Sequence, residues 1–294
     1  MKVAVIHVLK KLNTEHKKDL LHEISKEIKK SEKKPDIILL PGGYFISDTY
    51  MGEYDFDERK KILEKQFFSK ELKSFSKNME AAIVAGIDTG KDAWKAKGDQ
   101  MCVAWNETGV LGIGRKVWTV NGDEGQNYHV NFDDFGTSHR LVKIKNKKIL
   151  LCSCYDGYGT EGDCAQQNNR LKNTKNIFFD HKLLKKDISE LKEKGKKKWN
   201  DLLDKADMAF ISIHNFSNEG FGSGKGYWTR GIRARSKKDH KDFAIFGASH
   251  FENMDMGENA NRFSAKNGID LDIKKEIRIN NGKANTAIIR FYEI

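Results

Sequence analysis

The feature that most restricts this chain is a recurring alternation of short apolar runs with longer, Lys- and Glu-rich stretches whose apolar residues fall at helical spacing. That is the pattern of an α/β protein in which helices cover strands. VAVIHV at 3–8 reads as a buried strand. Leu20, Leu21, Ile24 and Ile28 then mark a helix with Asn13 or Thr14 as its N-cap, stopped by Pro35 before the strand DIILLP at 36–41. From about Asp57 a second amphipathic stretch carries Ile62, Leu63, Phe67, Leu72, Phe75 and Met79, and leads into the strand AAIVAG at 81–86.

Between 100 and 155 the pattern changes. MCVAW, GVLGIGRKVW, RLVKI and KILLCSCY follow one another with turns and a polar loop between them, which predicts consecutive strands and hence a mixed sheet. Residues 182–203 return to helical spacing in a Lys-rich background, with a break expected at Gly195. ADMAFISIHN from 206 is the next strand. A helix from Tyr227 to about Ser236, the strand FAIFGAS and an antiparallel pair around EIRI and TAIIRFYEI close the chain. With 294 residues, 38% of them hydrophobic, a sizeable core can be buried, and disorder and collagen are excluded. No Pro/Ser-rich linker or internal repeat is present, so 1–294 is expected to be a single domain with a Lys-rich insertion at about 160–205.

The net charge is +11, yet Lys is spread along the whole chain among abundant acid, which favours solubility over a dedicated nucleic-acid surface. The run Lys194 to Lys198 reads as a solvated helix face. No run approaches the roughly 18 to 20 apolar residues of a membrane helix, and Met1 leads straight into a strand. A cytoplasmic protein without membrane partners is expected. Four cysteines are too few for a disulfide scaffold at this length, so reduced thiols are expected. Without zinc-type Cys/His spacing, neither a metal nor another cofactor is expected.

In open α/β sheets, functional groups gather where strands end. Cys154 is at such a place, after KILLCS and before Tyr155, Asp156 and the Gly157, Gly159 pair. A nearby cation would favour its reactive thiolate. Lys116 in GRKVW is an odd charge beside Val117 and Trp118, and Asp123 or Glu124 could partner it.

Taken in order, VAVIHV, DIILLPGGYF, GRKVW followed by Glu124, ILLCSCYDG, ADMAFISIHN, YWTRGIRARS and FAIFGAS resemble the motifs of the nitrilase superfamily, the carbon–nitrogen hydrolases. The resemblance spans nearly the whole chain. It implies a four-layer αββα sandwich of the nitrilase type with mixed sheets, paired into homodimers or larger assemblies, acting on a small-molecule amide. Carried over by motif, Cys154 is the nucleophile that forms a thioester, Lys116 the oxyanion stabiliser, and Glu124 the supporting Glu that orients Lys116. Tyr155, His214, Asn215 and Trp228 are then expected around the substrate.

One departure stands out. The family's general-base Glu follows the Pro that ends the second strand, and here Pro41 is followed by Gly42 and Gly43. General acid/base assistance contributes about two to four decades in rate. Three readings follow. A histidine, His7, His214 or His250, or a loop acid, Asp48, Glu53 or Asp55, replaces the base. Alternatively, the protein is catalytically impaired and serves as a ligand-binding or regulatory protein. A metal at Cys154, His214 and His250 is the weakest of the three. The insertion at about 160–205 is expected either to form a lid or partner face near the pocket mouth, selecting an anionic substrate, or to be a solvated surface segment.

Overall fold

A computed structural model describes residues 1–9, 14–52, 54–67, 70–90, 99–118, 132–161, 185–216, 232–233, 235–237, 242–251, 263–281 and 284–294. Strand β1 (Lys2–Leu9) shows how the layers separate. Because strand side chains alternate between faces, its Ala4, Ile6 and Val8 join one buried cluster and its Val3 and Val5 another. The first cluster includes Leu20, Ile24 and Ile28 of helix α1 (Thr14–Lys30), Leu63 of α2 (Phe56–Phe67), and Leu72, Phe75 and Met79 of α3 (Lys70–Met79). The single amphipathic stretch expected from Asp57 is thus two helices, and both cover the same sheet face.

That first sheet runs β6 (Gly109–Arg115), β5 (Asp99–Asn106), β4 (Ala82–Thr89), β2 (Ile37–Leu39), β1, β14 (Ala284–Glu293) and β13 (Lys275–Asn281). Pairs β1/β2 and β2/β4 are parallel, and β4/β5, β5/β6, β1/β14 and β13/β14 are antiparallel. The short β3 (Phe45–Ser47) extends the β4 edge. A second sheet runs β7 (Leu141–Ile144), β8 (Lys147–Ser153), β9 (Met208–Phe216), β10 (Ala244–Phe251), β11 (Ser264–Lys266) and β12 (Ile269–Asp270). The two are joined where the end of β1 pairs with β10, Val8 opposite His250.

The cluster holding Val3 and Val5 draws equally on Ile149, Leu151, Phe210 and Phe246 of the second sheet, so it is the core between the sheets. Phe246 meets Tyr292 across it, ring centroids 5.8 Å apart. The alternate residues Leu150, Cys152, Ala209, Ile211 and Ile245 face outward and are covered by Trp199, Leu202 and Leu203 of helix α4 (Lys185–Lys205). The architecture is therefore a four-layer αββα sandwich with mixed sheets.

Gly195 does not break α4. A Cβ there would lie 3.1 Å from the Phe135 ring, so the glycine admits that ring against an unbroken helix. Of the Lys-rich stretch at about 160–205, residues 185–205 form this helix, and 162–184 lie outside the described residues. No described helix is long and apolar enough to cross a membrane.

Buried charge ties the end of β6 to α2. Asp134 receives Arg59 at 2.8 Å and Arg115 at 3.1 Å, and Arg59 also donates to the carbonyls of Met51 and Gly52. Burial opposes the Asp134 charge, but Arg115 and Arg59 outweigh it and hold the carboxyl below its ordinary pKa. A depressed carboxylate contributes stability above its unfolded pKa and loses it as pH falls through the folded value. Urea midpoints taken from about pH 6 to about pH 2 are expected to fall more steeply for wild type than for Asp134→Asn. Parallel curves would remove Asp134 from the acid response.

Candidate active site

Cys154 stands at the end of β8, where the backbone leaves the sheet in a left-handed conformation, φ 45°. Such a conformation is uncommon for a residue with a Cβ, and strained positions of this kind cluster at functional sites. The following 3-10 turn, Cys154–Glu161, is held by one carboxylate. Asp156 Oδ1 accepts from the N–H groups of Val117 at 2.8 Å and Trp118 at 3.1 Å, and Oδ2 accepts from Ser153 N–H at 3.1 Å. Arg140 lies 3.5 Å from the same carboxylate, and its guanidinium donates to the Arg115 carbonyl and stacks 4.8 Å from the Trp199 ring centroid. Trp199 in turn donates to Gly159 O at 2.9 Å. The segment carrying Lys116 is thus clamped to the turn carrying Cys154.

His214, near the end of β9, approaches from the other side. Its Nε2 donates to Asp88 Oδ1 at 2.5 Å, across 126 residues of sequence. Asp88 belongs to β4 of the opposite sheet and is itself buried. Lys17 of α1 is electrostatically coupled to Asp88 and donates to Gly43 O at 2.9 Å. Nδ1 of His214 is buried, and the His214 side chain interacts with the Cys154 thiol so that each shifts the other.

Burial pushes the Cys154 thiol up, but the His214 ring, the Lys116 ammonium and the His214 backbone N–H together hold it below the ordinary value. Burial also works against charge on His214, yet Asp88 and the Cys154 thiolate raise it to about 10. Both shifts favour the thiolate and imidazolium forms of the pair. The other described cysteines behave oppositely: burial raises Cys102 to about 12 and Cys152 well above its usual range. They are small core residues.

No family model matches the sequence, and no curated protein matches it. Solved structures do match. Nit3 of Saccharomyces cerevisiae, a member of branch 10 of the nitrilase superfamily, is 13% identical with a TM-score of 0.55, over 100% of this chain and 90% of that one. An amidase from Nesterenkonia sp. AN1, solved with acrylamide added at its active-site cysteine, is 12% identical with a TM-score of 0.51, over 100% of this chain and 93% of that one. This chain has the nitrilase-superfamily fold.

Within that fold, Lys116 and His214 lie close enough to Cys154 to shift its thiol. Glu124 and Trp228 lie outside the described residues, as do the side chains of Tyr155 and Asn215. Two of the histidines weighed as replacements are engaged elsewhere. His7 sits between the sheets, its Nδ1 3.3 Å from Ser249 Oγ, and burial with Arg290 nearby holds it neutral. His250 Nδ1 donates to the His214 carbonyl at 3.0 Å, which supports the strand end. Asp55 caps α2 through the N–H of Glu58 at 2.9 Å, and Glu53 lies outside the described residues. Among the described residues no group of three or more His, Cys, Asp and Glu is placed to hold a metal ion.

Asp88 was not among the candidates. The signal was present in AAIVAGIDTG, where an acid closes an otherwise apolar strand. A charge placed there has to find a partner. A cavity of about 750 Å³ lined by Lys17, His22, Tyr44, Phe45, Phe67 and Phe75 opens on the outer helical face. Its described lining includes none of Cys154, Lys116 and His214, so it is separate from this site.

Proposed function

We propose that this protein is a divergent nitrilase-superfamily enzyme that cleaves a carbon–nitrogen bond of a small amide through a thioester on Cys154. The observation that carries this reading is the contrast among the described cysteines. Only Cys154 has its thiol pKa held down, and it alone stands at a strained strand end beside two cations. A thiolate is the nucleophilic form. Attack on an amide carbon forms the C–S bond and puts negative charge on the carbonyl oxygen, which Lys116 stabilises as a fixed charge in a water-poor setting. Similarity in fold to amidases supports the reaction class; transfer of the acyl group to another amine uses the same first half.

The test is iodoacetamide labelling, read by peptide mass spectrometry across pH. Cys154 is expected to label with a midpoint below the unperturbed thiol value of about 8.5, while Cys102 and Cys152 stay unlabelled in the folded protein. In Lys116→Ala the Cys154 midpoint rises and amide turnover falls by about 10²–10³. A Cys154 thiol that titrates at the unperturbed value, or never reacts, favours the second reading, a binding protein that kept the sandwich and lost the chemistry. Gly42, in place of the family's Glu, is the observation behind that alternative.

A further inference from the structure

We infer that His214 is the proton-transfer residue of this site and Asp88 its positioning residue, a Cys–His–Asp arrangement built into the space that Gly42 leaves open. The inference rests on the thiol reading above and supplies what that reading lacks, a group to move the proton. It begins with packing. A Cβ on residue 42 would lie 2.6 Å from His214 Nδ1, 2.8 Å from Cε1 and 2.8 Å from the His214 backbone nitrogen. Real Cβ atoms do not approach ring and backbone atoms so closely, so a Glu at 42 and the observed ring of His214 exclude each other. The loop also lies hard against β4, since a Cβ on Gly86 would come 2.3 Å from Gly42 Cα. Backbone bonds from Gly42 N–H to Ile213 O at 3.0 Å and from Gly86 N–H to Pro41 O at 3.1 Å fix this arrangement. Gly42 thus does more than remove a base: it admits the ring of His214.

The ring's orientation is set by one bond. Nε2 on Asp88 leaves Nδ1 as the nitrogen that can serve the sulfur, and a carboxylate on the far edge both fixes the ring and stabilises its cation. Among the described residues, the charged and titratable groups around His214 are Asp88 on β4, Cys154 after β8, Lys116 after β6, Lys17 on α1 and His250 on β10. Lys17 acts on Asp88, Lys116 acts on Cys154, and His250 Nδ1 donates to the His214 carbonyl.

The proton balance closes. The Cys154 thiolate attacks the amide carbon, and the carbonyl π electrons move to oxygen. As the C–N bond breaks, imidazolium His214 gives its proton to the leaving nitrogen, which departs as ammonia or an amine. Neutral His214 then takes a proton from water as the water oxygen attacks the thioester carbon. The C–S bond breaks, releasing the carboxylic acid and restoring thiolate and imidazolium. Acylation thus requires thiolate and imidazolium together. Its rate rises as pH passes the depressed Cys154 value and falls as pH passes the raised His214 value, about 10.

The experiment compares full-length wild type, Asp88→Asn and His214→Gln. Cys154 alkylation by iodoacetamide and the kcat/KM of a small-amide substrate are measured across pH, with circular dichroism confirming the fold. In Asp88→Asn the alkylation midpoint is expected to rise by about 1–3 units, the alkaline limb to move to lower pH, and kcat/KM to fall by about 10²–10⁴. His214→Gln is expected to bring the midpoint to the unperturbed thiol value. Unchanged midpoints in both variants overturn the inference. If no amide is turned over but the midpoints shift as stated, the ion pair stands and the amidase reading fails. Should Asp88→Asn not fold, His214→Gln alone decides, because an unchanged thiol midpoint there excludes His214 as the partner.

Discussion

Cys154→Ala is expected to remove amide turnover, a loss on the order of 10⁵–10⁶ by analogy with nucleophile deletions in other hydrolases, while the protein unfolds within about 1 kcal/mol of wild type. The two halves of this expectation have separate causes. In the proposed reaction Sγ forms the bond to carbon, and the other described thiols are unsuited to replace it: Cys152 is buried on the outward face of β8 with its thiol pushed far up, and Cys102 is raised to about 12. Stability is spared because the change removes a single buried sulfur, and Ala tolerates the same backbone nearly as well. Steady-state assays with a panel of small amides, paired with urea unfolding, provide the check. Turnover at the wild-type level in the Ala variant would sink the mechanism outright, whereas a large loss with collapsed stability would locate Cys154 in the scaffold instead.

The second large effect is on folding. Asp156→Ala is expected to lower the unfolding free energy by about 3–5 kcal/mol. Asp156 is fully buried and is the common acceptor for Val117, Trp118 and Ser153 N–H and the partner of Arg140, which is itself fully buried. Deleting it leaves a guanidinium without its carboxylate and three amides without their acceptor, the kind of loss that makes a single substitution severe. Burial raises the Asp156 pKa even against Arg140 and those amides, so the charge itself is costly and the bonds are what retain it. Asp156→Asn keeps one acceptor oxygen and is expected to fall between Ala and wild type. Urea midpoints of the three proteins rank the effect, and equal midpoints would dissolve the clamp. Because the clamp also sets Lys116 against Cys154, the surviving folded fraction of Asp156→Ala should alkylate at Cys154 with a higher midpoint than wild type.

Much of the fold was legible without coordinates. The apolar runs VAVIHV, DIILLP, AAIVAG and FAIFGAS and the spacing of Leu20, Ile24 and Ile28 report faces that each element must bury, and burial of a face is a local demand written in local periodicity. Cys154 was legible for a related reason, as a reactive group at the end of an apolar run where a buried strand meets a turn, and Lys116 as an odd charge beside Val117 and Trp118. Gly195 was misread as a break because nothing near it in sequence reveals the Phe135 ring packed upon it. The 57–79 stretch was read as one amphipathic stretch, without its division into two helices, since α2 and α3 cover one face and keep one apolar rhythm.

The proton-transfer machinery belongs to the tertiary structure alone. Asp88 and His214 stand on different sheets, Asp156 binds amides 38 and 39 residues upstream, and His7 and His250 look from sequence as suitable as His214. A buried polar group must find a partner, but which one it finds is set by strand register and sheet stacking. Sequence spacing determined that Cys154 would sit at a strand end; only the packing of β4 against β9, across the opening at Gly42, decided which imidazole meets the thiol.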